Sequence, residues 1–407
     1  TLFRSNINKR QKFATNSYQS TSLLMIFSIK YWHYRVLWVL VLWLLPSCDN
    51  PMEVDIGPAS KVSKERLARM NRGVNLSHWF AQTSITTERM RTFMTEEDFQ
   101  TISALGFRHV RFPVDPMLLL NEQQPENLVE SNWREVRRAL EMMMEKGLAV
   151  TLEMHGSTTF KKRLETEPTF RTVFTQLWHA LAIKVSDTNP EFLFLEPLNE
   201  PVMNDSRGWQ VFQNQLLLAI RSGAPKHTLV AVGDMFSSLD QLNLLQPVDD
   251  PNVVYAFHFY EPGTFTHQGA TWAVEAWPYL REIPYPFDAK RMNQLLPQLP
   301  VIAQPLARAY AAEKWDRSQL QARLAKPFLW GQRFRVPVIC AEFGVYRLVA
   351  LPQDRLNWIR DVRIILERYQ IPWTMWDYSE GFGVAIRENG KREVDMETVR
   401  ALGLHLY

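Results

Sequence analysis

The sequence predicts an α/β fold, a single (β/α)8 TIM barrel, and three observations carry that expectation. Short apolar, β-branched or aromatic runs recur at 73–79, 109–114, 149–155, 192–200, 227–234, 253–260, 336–343 and 371–378. Amphipathic stretches separate most of them, at 96–105, 133–146, 170–185, 209–220 and 356–369. Strands alternating with helices make a parallel sheet with right-handed crossovers, and eight such units close most simply as a barrel. The third observation is a missing motif. An open doubly wound sheet would carry a glycine-rich phosphate loop, yet none of the 16 glycines falls in G-x-G-x-x-G or G-x-x-x-x-G-K spacing.

Composition supports a globular chain. Of 407 residues, 46% are hydrophobic and 22% charged, which excludes disordered, collagen-like and multi-span membrane chains. Lys and Arg total 46 against 43 Asp and Glu, with no long basic run, so nucleic acid is not an expected partner. Two cysteines, Cys48 and Cys340, make neither a disulfide framework nor a thiolate metal cluster.

The first 48 residues read as an address. Met25 is the expected start, followed by Lys30, Arg35 and the apolar run 36–45, too short to span a bilayer. Leu45-Pro46-Ser47-Cys48 resembles a lipoprotein lipobox, with Pro46 where a small residue is usual. The expectation is an exported protein, a lipoprotein anchored through Cys48 or else a secreted form. Residues 49–64 read as a tether and 65–407 as one catalytic domain, expected to be monomeric.

In such a barrel the active site forms at the C-terminal strand ends. Those ends carry His78, Arg111, His155, Asn199, Glu200, His258, Tyr260, Glu342 and Trp376. Glu200 and Glu342 each follow a hydrophobic run, on the fourth and seventh strands, which face each other across the mouth. Partial desolvation lets the protonation state of such acids be tuned. Glycoside hydrolysis needs one neutral carboxyl to protonate the leaving oxygen and one ionised carboxylate to attack. Glu200 is expected to be the acid/base, kept protonated by burial and by the negative charge opposite. Glu342 is expected to be the nucleophile, kept ionised by Arg111 and Tyr260, with Asn199 on the sugar 2-hydroxyl. Trp376, followed by polar residues, is expected to be an exposed platform for a pyranose. Trp79, Trp272 and Trp277 are further candidates of that kind. Glu196 shares the inward parity of Glu200 and reads as a partner for Arg111 or His155. His109, His179, His227 and His267 are expected at surface or capping positions.

Taken in order, these motifs resemble glycoside hydrolase family 5, the cellulase family. The resemblance rests on Arg72-Gly73-Val74-Asn75, Val110-Arg111-Phe112-Pro113, Glu196-Pro197-Leu198-Asn199-Glu200-Pro201, His258-Phe259-Tyr260, Ala341-Glu342-Phe343-Gly344 and Trp376. It implies retaining hydrolysis of a β-linked glucan or mannan, without cofactor or metal, and most commonly endo-β-1,4-glucanase activity. Where the family commonly shows Asp-x-His on its third strand, this chain has Glu153-Met154-His155, so His155 is carried over and Glu153 is not.

Three alternatives stay open. One is another β-glycanase of the same family, a mannanase, xyloglucanase or exo-glucanase. A second is a metal-dependent hydrolase built on His78, His155 and His258. The third is a non-catalytic glycan-binding surface lipoprotein. The connection 261–335, with a helix expected near 304–324, should overhang the mouth and shape specificity.

Overall fold

Each predicted apolar run contributes a strand to one parallel sheet. The strands are β1 (Gly73–Asn75), β2 (His109–Val114), β3 (Ala149–Met154), β4 (Leu193–Glu196), β5 (Thr228–Val232), β6 (Val253–Phe259), β7 (Val338–Phe343) and β8 (Thr374–Met375). The order runs from β7 back to β1 and then to β8. Register pairs Gly73 with both His109 and Thr374, so β1 lies between β2 and β8. The remaining seam, between β7 and β8, is joined by a bridge from Cys340 to Trp373 and by the Trp376 N–H donating to Phe343 O at 2.9 Å. The sheet therefore closes into the expected (β/α)8 barrel. This computed structural model describes residues 60–388 and 391–406. The expected start at Met25, apolar run 36–45 and lipobox cysteine Cys48 lie outside the described residues.

Several strands are shorter than the runs that announced them: β1, β3 and β6 at the C-terminal end, β7 at the N-terminal end, and β4, β5 and β8 at both. The chain leaves the ladder after Asn75, Glu196, Val232 and Met375 so that its next residues can turn over the mouth. Glu200 ends one such turn with φ +45°, a left-handed conformation that costs a non-glycine residue about 1–2 kcal/mol and collects at functional sites.

The barrel interior at the opposite end explains one glycine and one misplaced histidine. His109 is buried inside, its ring bonding Thr151 Oγ1 at 2.8 Å and Thr374 Oγ1 at 3.2 Å, rather than lying on the surface. Burial pulls its pKa down to about 3, so it is neutral there. A Cβ on Gly73 would meet that ring at 2.6 Å, which is why β1 opens on glycine. His227 is buried as well, bonded to Thr188 Oγ1 at 2.9 Å.

Three boundaries differ from expectation. The tether expected to reach 64 already packs on the barrel at its end: Lys61 N–H donates to Pro251 O at 2.7 Å, and Arg66 pairs with Glu191 at 2.7 Å. The helix expected at 304–324 is two, Gln304–Glu313 and Arg317–Phe334. Left-handed Lys314 ends the first, and the Asp316 carboxylate caps the second through Ser318 N at 2.7 Å. The second helix is the crossover to β7, so the insertion proper ends near 316. Finally, an antiparallel pair, β9 (Ala385–Glu388) and β10 (Lys391–Val394), follows the barrel. The intervening sequence is Asn389-Gly390, a pair that favours a two-residue hairpin.

Candidate functional site

Arg111 organises the mouth. It rises from β2 into the barrel, fully buried, where a guanidinium offers five donors in a fixed fork. Nε and Nη2 grip both Glu196 oxygens at 2.9 and 2.6 Å. Nη1 donates to Glu342 Oε1 at 2.7 Å and Asn75 Oδ1 at 3.0 Å, and Nη2 to Asn199 Oδ1 at 2.9 Å. Glu153 lies 3.4 Å from Nη1. In turn Glu153 Oε1 holds His155 Nδ1 at 2.8 Å, and His155 Nε2 meets Asn199 Nδ2 at 3.3 Å.

Beside this cluster Glu200 and Glu342 face each other. Their oxygens and a His258 ring nitrogen all lie within 4.8 Å of one another. His258 Nδ1 stands 2.9 Å from Glu200 Oε1 and 3.4 Å from Glu342 Oε2. Tyr260 O–H donates to Glu342 Oε2 at 2.9 Å. Glu342 is buried, while the Glu200 side chain keeps 25% exposure and is the one open to an incoming ligand.

The pKa order of this pair is opposite to the expected one. Burial favours neutral Glu200, but the hydrogen bond and charge of His258 overcome it and hold the carboxyl down to about 2. Burial pushes Glu342 up, against the attraction of His258 and Arg111. His258 itself is raised, since the pull of Glu342 and Glu200 exceeds its own desolvation. The reason lies in Nδ1: it stands closer to Glu200 than to Glu342, an arrangement that strand parity does not reveal. Groups this close share their protons and titrate as a unit.

The remaining expected residues divide. His78, with φ +58°, ends the first strand's turn with Nδ1 at 3.1 Å from Ser77 Oγ. Ser77 Oγ donates in turn to the buried Asp377 carboxyl, which burial pushes up to about 7. Trp376 is only 8% exposed, with its ring against His155 at 5.9 Å and 26°. The polar residues after it, read as a sign of exposure, are instead buried: Tyr378 O–H donates to Asp98 at 3.3 Å. Trp79 is core, its Nε1–H bonded to Met90 O at 3.0 Å. Trp277 stacks on His267 at 4.5 Å, and Trp272 is 45% exposed beside them. His78, His155 and His258 form no ligand cluster among the described residues. The group that could hold an ion, Glu200 with His258 and Glu342, already has a guanidinium at 2.7 Å and a phenol at 2.9 Å on Glu342.

Sequence reasoning missed three residues. Glu153 was set aside, although its position two before His155 on one strand puts both on the same face. Asn75 passed as part of a motif; its Nδ2 ties β1 to Ala341 O and Met375 O at 3.0 and 3.2 Å. Phe236 gave no signal. It follows β5, 52% exposed, in a run of three left-handed residues from Met235 to Ser237, and its N–H donates to Pro201 O at 3.2 Å.

Comparison with known proteins places this geometry in context. Residues 67–381 match the family model described as cellulase, glycosyl hydrolase family 5. Endoglucanase C of Acetivibrio thermocellus is 28% identical over 337 residues, covering 81% of this chain and 97% of its own. Cellodextrinase A of Ruminococcus flavefaciens is 25% identical over 308 residues, covering 74% and 83%. Thermotoga maritima Cel5A, solved in complex with cellobiose, superposes with a TM-score of 0.69 at 23% identity, covering 83% of this chain and 99% of that one. It shares the fold.

Replacing Arg111 with Met would leave Glu196 and Glu153 buried without their counter-charge. Unfolding free energy should drop by about 3–5 kcal/mol, measured by urea denaturation; a loss below about 1 kcal/mol would show the cluster to be self-sufficient.

Proposed function

Since the chain belongs to glycosyl hydrolase family 5, the cellulase family, and is a glycosyl hydrolase, we propose that it cleaves β-1,4-glucan internally with retention of anomeric configuration. The observation that carries the stereochemistry is the approach of Glu200 and Glu342 oxygens to within 4.8 Å. Inverting enzymes need carboxyl groups about 6.5–9.5 Å apart to admit a water, and retaining ones about 5–5.5 Å. The endoglucanase names of the relatives, at 28% identity across 81% of the chain, support the polymer.

In the first step a Glu342 oxygen bonds the anomeric carbon as the glycosidic C–O bond breaks, and the leaving oxygen takes the Glu200 proton. A water then attacks the same carbon, gives its proton to Glu200 and frees Glu342. Glu342 Oε2 is aimed by Tyr260 and Oε1 by Arg111. Asn199 stands between Arg111 and His155, positioned for the 2-hydroxyl, and Trp376 with His78 would border the bound sugar.

The resting proton distribution does not yet suit this chemistry. A sugar arriving over Glu200 strips its remaining water and favours the neutral acid. The proton on His258 Nδ1 then shifts along its 2.9 Å hydrogen bond to Glu200, while Glu342 faces the Arg111 guanidinium and the Tyr260 hydroxyl. Export with a lipid tether at Cys48, read from residues 25–48, is part of the same proposal. An unmodified Cys48 in the mature protein, by mass spectrometry, would remove the anchor.

Glu342→Ala should lower kcat on cello-oligosaccharides by about 10⁴-fold or more while oligosaccharide binding persists. NMR of the first product formed by the native enzyme should show the β-anomer; an α-anomer would overturn the double displacement. Replacing His258 with Gln removes a cation that favours ionised Glu200. Glu200 then keeps its proton to higher pH, so the basic limb of kcat/KM should move up by about one to two units. A limb that stays in place would mean that His258 does not govern the acid.

A further inference from the structure

One residue of the third strand departs from the Asp-x-His pattern, and its contacts give it a defined place. Glu153 lies on β3 and His155 directly follows that strand, so the two share the inward face. Glu153 is fully buried, and its Oε1 lies 2.8 Å from His155 Nδ1. His155 Nε2 meets Asn199 Nδ2 at 3.3 Å, and Asn199 Oδ1 accepts from Arg111 Nη2 at 2.9 Å. Arg111 Nη1 comes back to Glu153 Oε1 at 3.4 Å, which closes a ring of side chains. The direction of each bond in that ring follows from its members. A guanidinium only donates, so the Asn199 atom facing it is the carbonyl oxygen, and the amide nitrogen faces His155. An amide nitrogen also only donates, so His155 Nε2 accepts and the ring proton sits on Nδ1. Burial pushes the Glu153 carboxyl up, but its surroundings, Arg111 foremost, hold it below the usual range, so it accepts that proton's hydrogen bond as a carboxylate. One amide hydrogen of Asn199 is taken by His155; among the described residues the other has no partner.

We propose that Glu153 is a positioning residue for the sugar 2-hydroxyl: by keeping the His155 proton on Nδ1 it makes Nε2 an acceptor, and that acceptor holds the Asn199 amide with one N–H free for the hydroxyl. This rests on the placement of Asn199 at the 2-hydroxyl in the mechanism above. Without an acceptor beside Nδ1 the His155 proton is free to sit on Nε2. There it would face the Asn199 amide donor to donor and turn it away from the sugar. The 2-hydroxyl contact strengthens in the transition state, so its loss falls on turnover more than on binding. The second carboxylate oxygen, Oε2, is buried and makes no hydrogen bond. Glu153→Gln therefore fits the same space, keeping the acceptor at Oε1 while removing the charge. Hydrogen-bond direction and charge, the two things Glu153 supplies, are separable by that one substitution.

The test compares two substrates that differ in one hydroxyl: 4-nitrophenyl β-cellobioside and its analogue lacking the 2-hydroxyl on the ring that Glu342 attacks. Glu153→Met should lower kcat/KM on the parent about 10-fold more than on the deoxy analogue, the scale of one hydrogen bond, with the loss carried by kcat. Glu153→Gln should keep most of the native preference. Equal losses on both substrates, or a preference lost as fully in Glu153→Gln as in Glu153→Met, would overturn the proposal. Nitrogen NMR of the native enzyme adds a check that needs no variant. His155 should show a protonated Nδ1 and a bare Nε2; the reverse tautomer would also overturn the proposal. Asn199→Ala, run on the same pair of substrates, separates the two readings. If it erases the preference while Glu153→Met keeps it, Asn199 stands at the hydroxyl and Glu153 falls. If Asn199→Ala itself keeps the preference, the placement of Asn199 falls first and the role of Glu153 with it.

Discussion

A single buried guanidinium makes this mouth possible. The register places Glu153 of β3 directly beside Glu196 of β4, both without solvent contact, and Glu342 comes in from β7. Neighbouring buried carboxylates repel, and each loses water on folding, so such an arrangement is unfavourable alone. Arg111 answers it with a two-toothed grip on Glu196, a bond to Glu342 and a charge beside Glu153. Five donors in one plane are needed for that; a lysine, with a point charge on a flexible stem, would reach fewer of them. Asn75 and Asn199 accept from the same fork, so strands β1, β2, β4 and β7 are registered to one another by one side chain.

Holding the nucleophile this way has a consequence for the proton. A cluster with one permanent cation and several acids favours a second positive charge at its edge, and it raises the pKa of His258 there. His258 bonds to the acid and lies half an ångström farther from the nucleophile, so in the resting state it stabilises the wrong partner for catalysis. The side-chain exposures resolve this. Glu200 is the more solvated of the two, so a ligand changes its environment most, whereas Glu342 is already enclosed and changes little. In the proposed mechanism a sugar over Glu200 would therefore favour its protonated form more than that of Glu342.

Much of this was legible in the sequence because the interior of a barrel imposes parity. Residues two apart on one strand face the same way, which turns Glu196 inward as a partner for Arg111 or His155. The same rule puts Glu153 on the inward face with His155, although Glu153 departs from the Asp-x-His pattern. What could not be read belongs to geometry across strands. Whether His258 leans to Glu200 or Glu342 depends on the ring's orientation at a register shift between Phe257 and His258. Exposure of aromatic residues also escaped, since Trp376 and Trp79 differ only in what packs over them. Polar neighbours suggested an open Trp376, but Asp377 and Tyr378 turn inward to Ser77 and Asp98.

The long connection after β6 bears on chemistry as well as on shape. Tyr260, which orients Glu342, ends the sixth strand's turn, and its carbonyl accepts from Thr266 Oγ1 at 2.6 Å. Its ring packs edge-on against His267 at 5.0 Å and Phe382 at 6.0 Å, and Trp277 stacks behind His267. Arg323 of the crossover helix pairs with Glu261, so the turn is held from the outside too. The wall that a polysaccharide would touch on this side is therefore the same wall that aims the nucleophile. A change in the insertion that altered which sugar fits would also move the phenol by fractions of an ångström, and a hydrogen bond to a buried carboxylate is sensitive on that scale. If the insertion contacts the polysaccharide as proposed, specificity and reactivity would share these contacts.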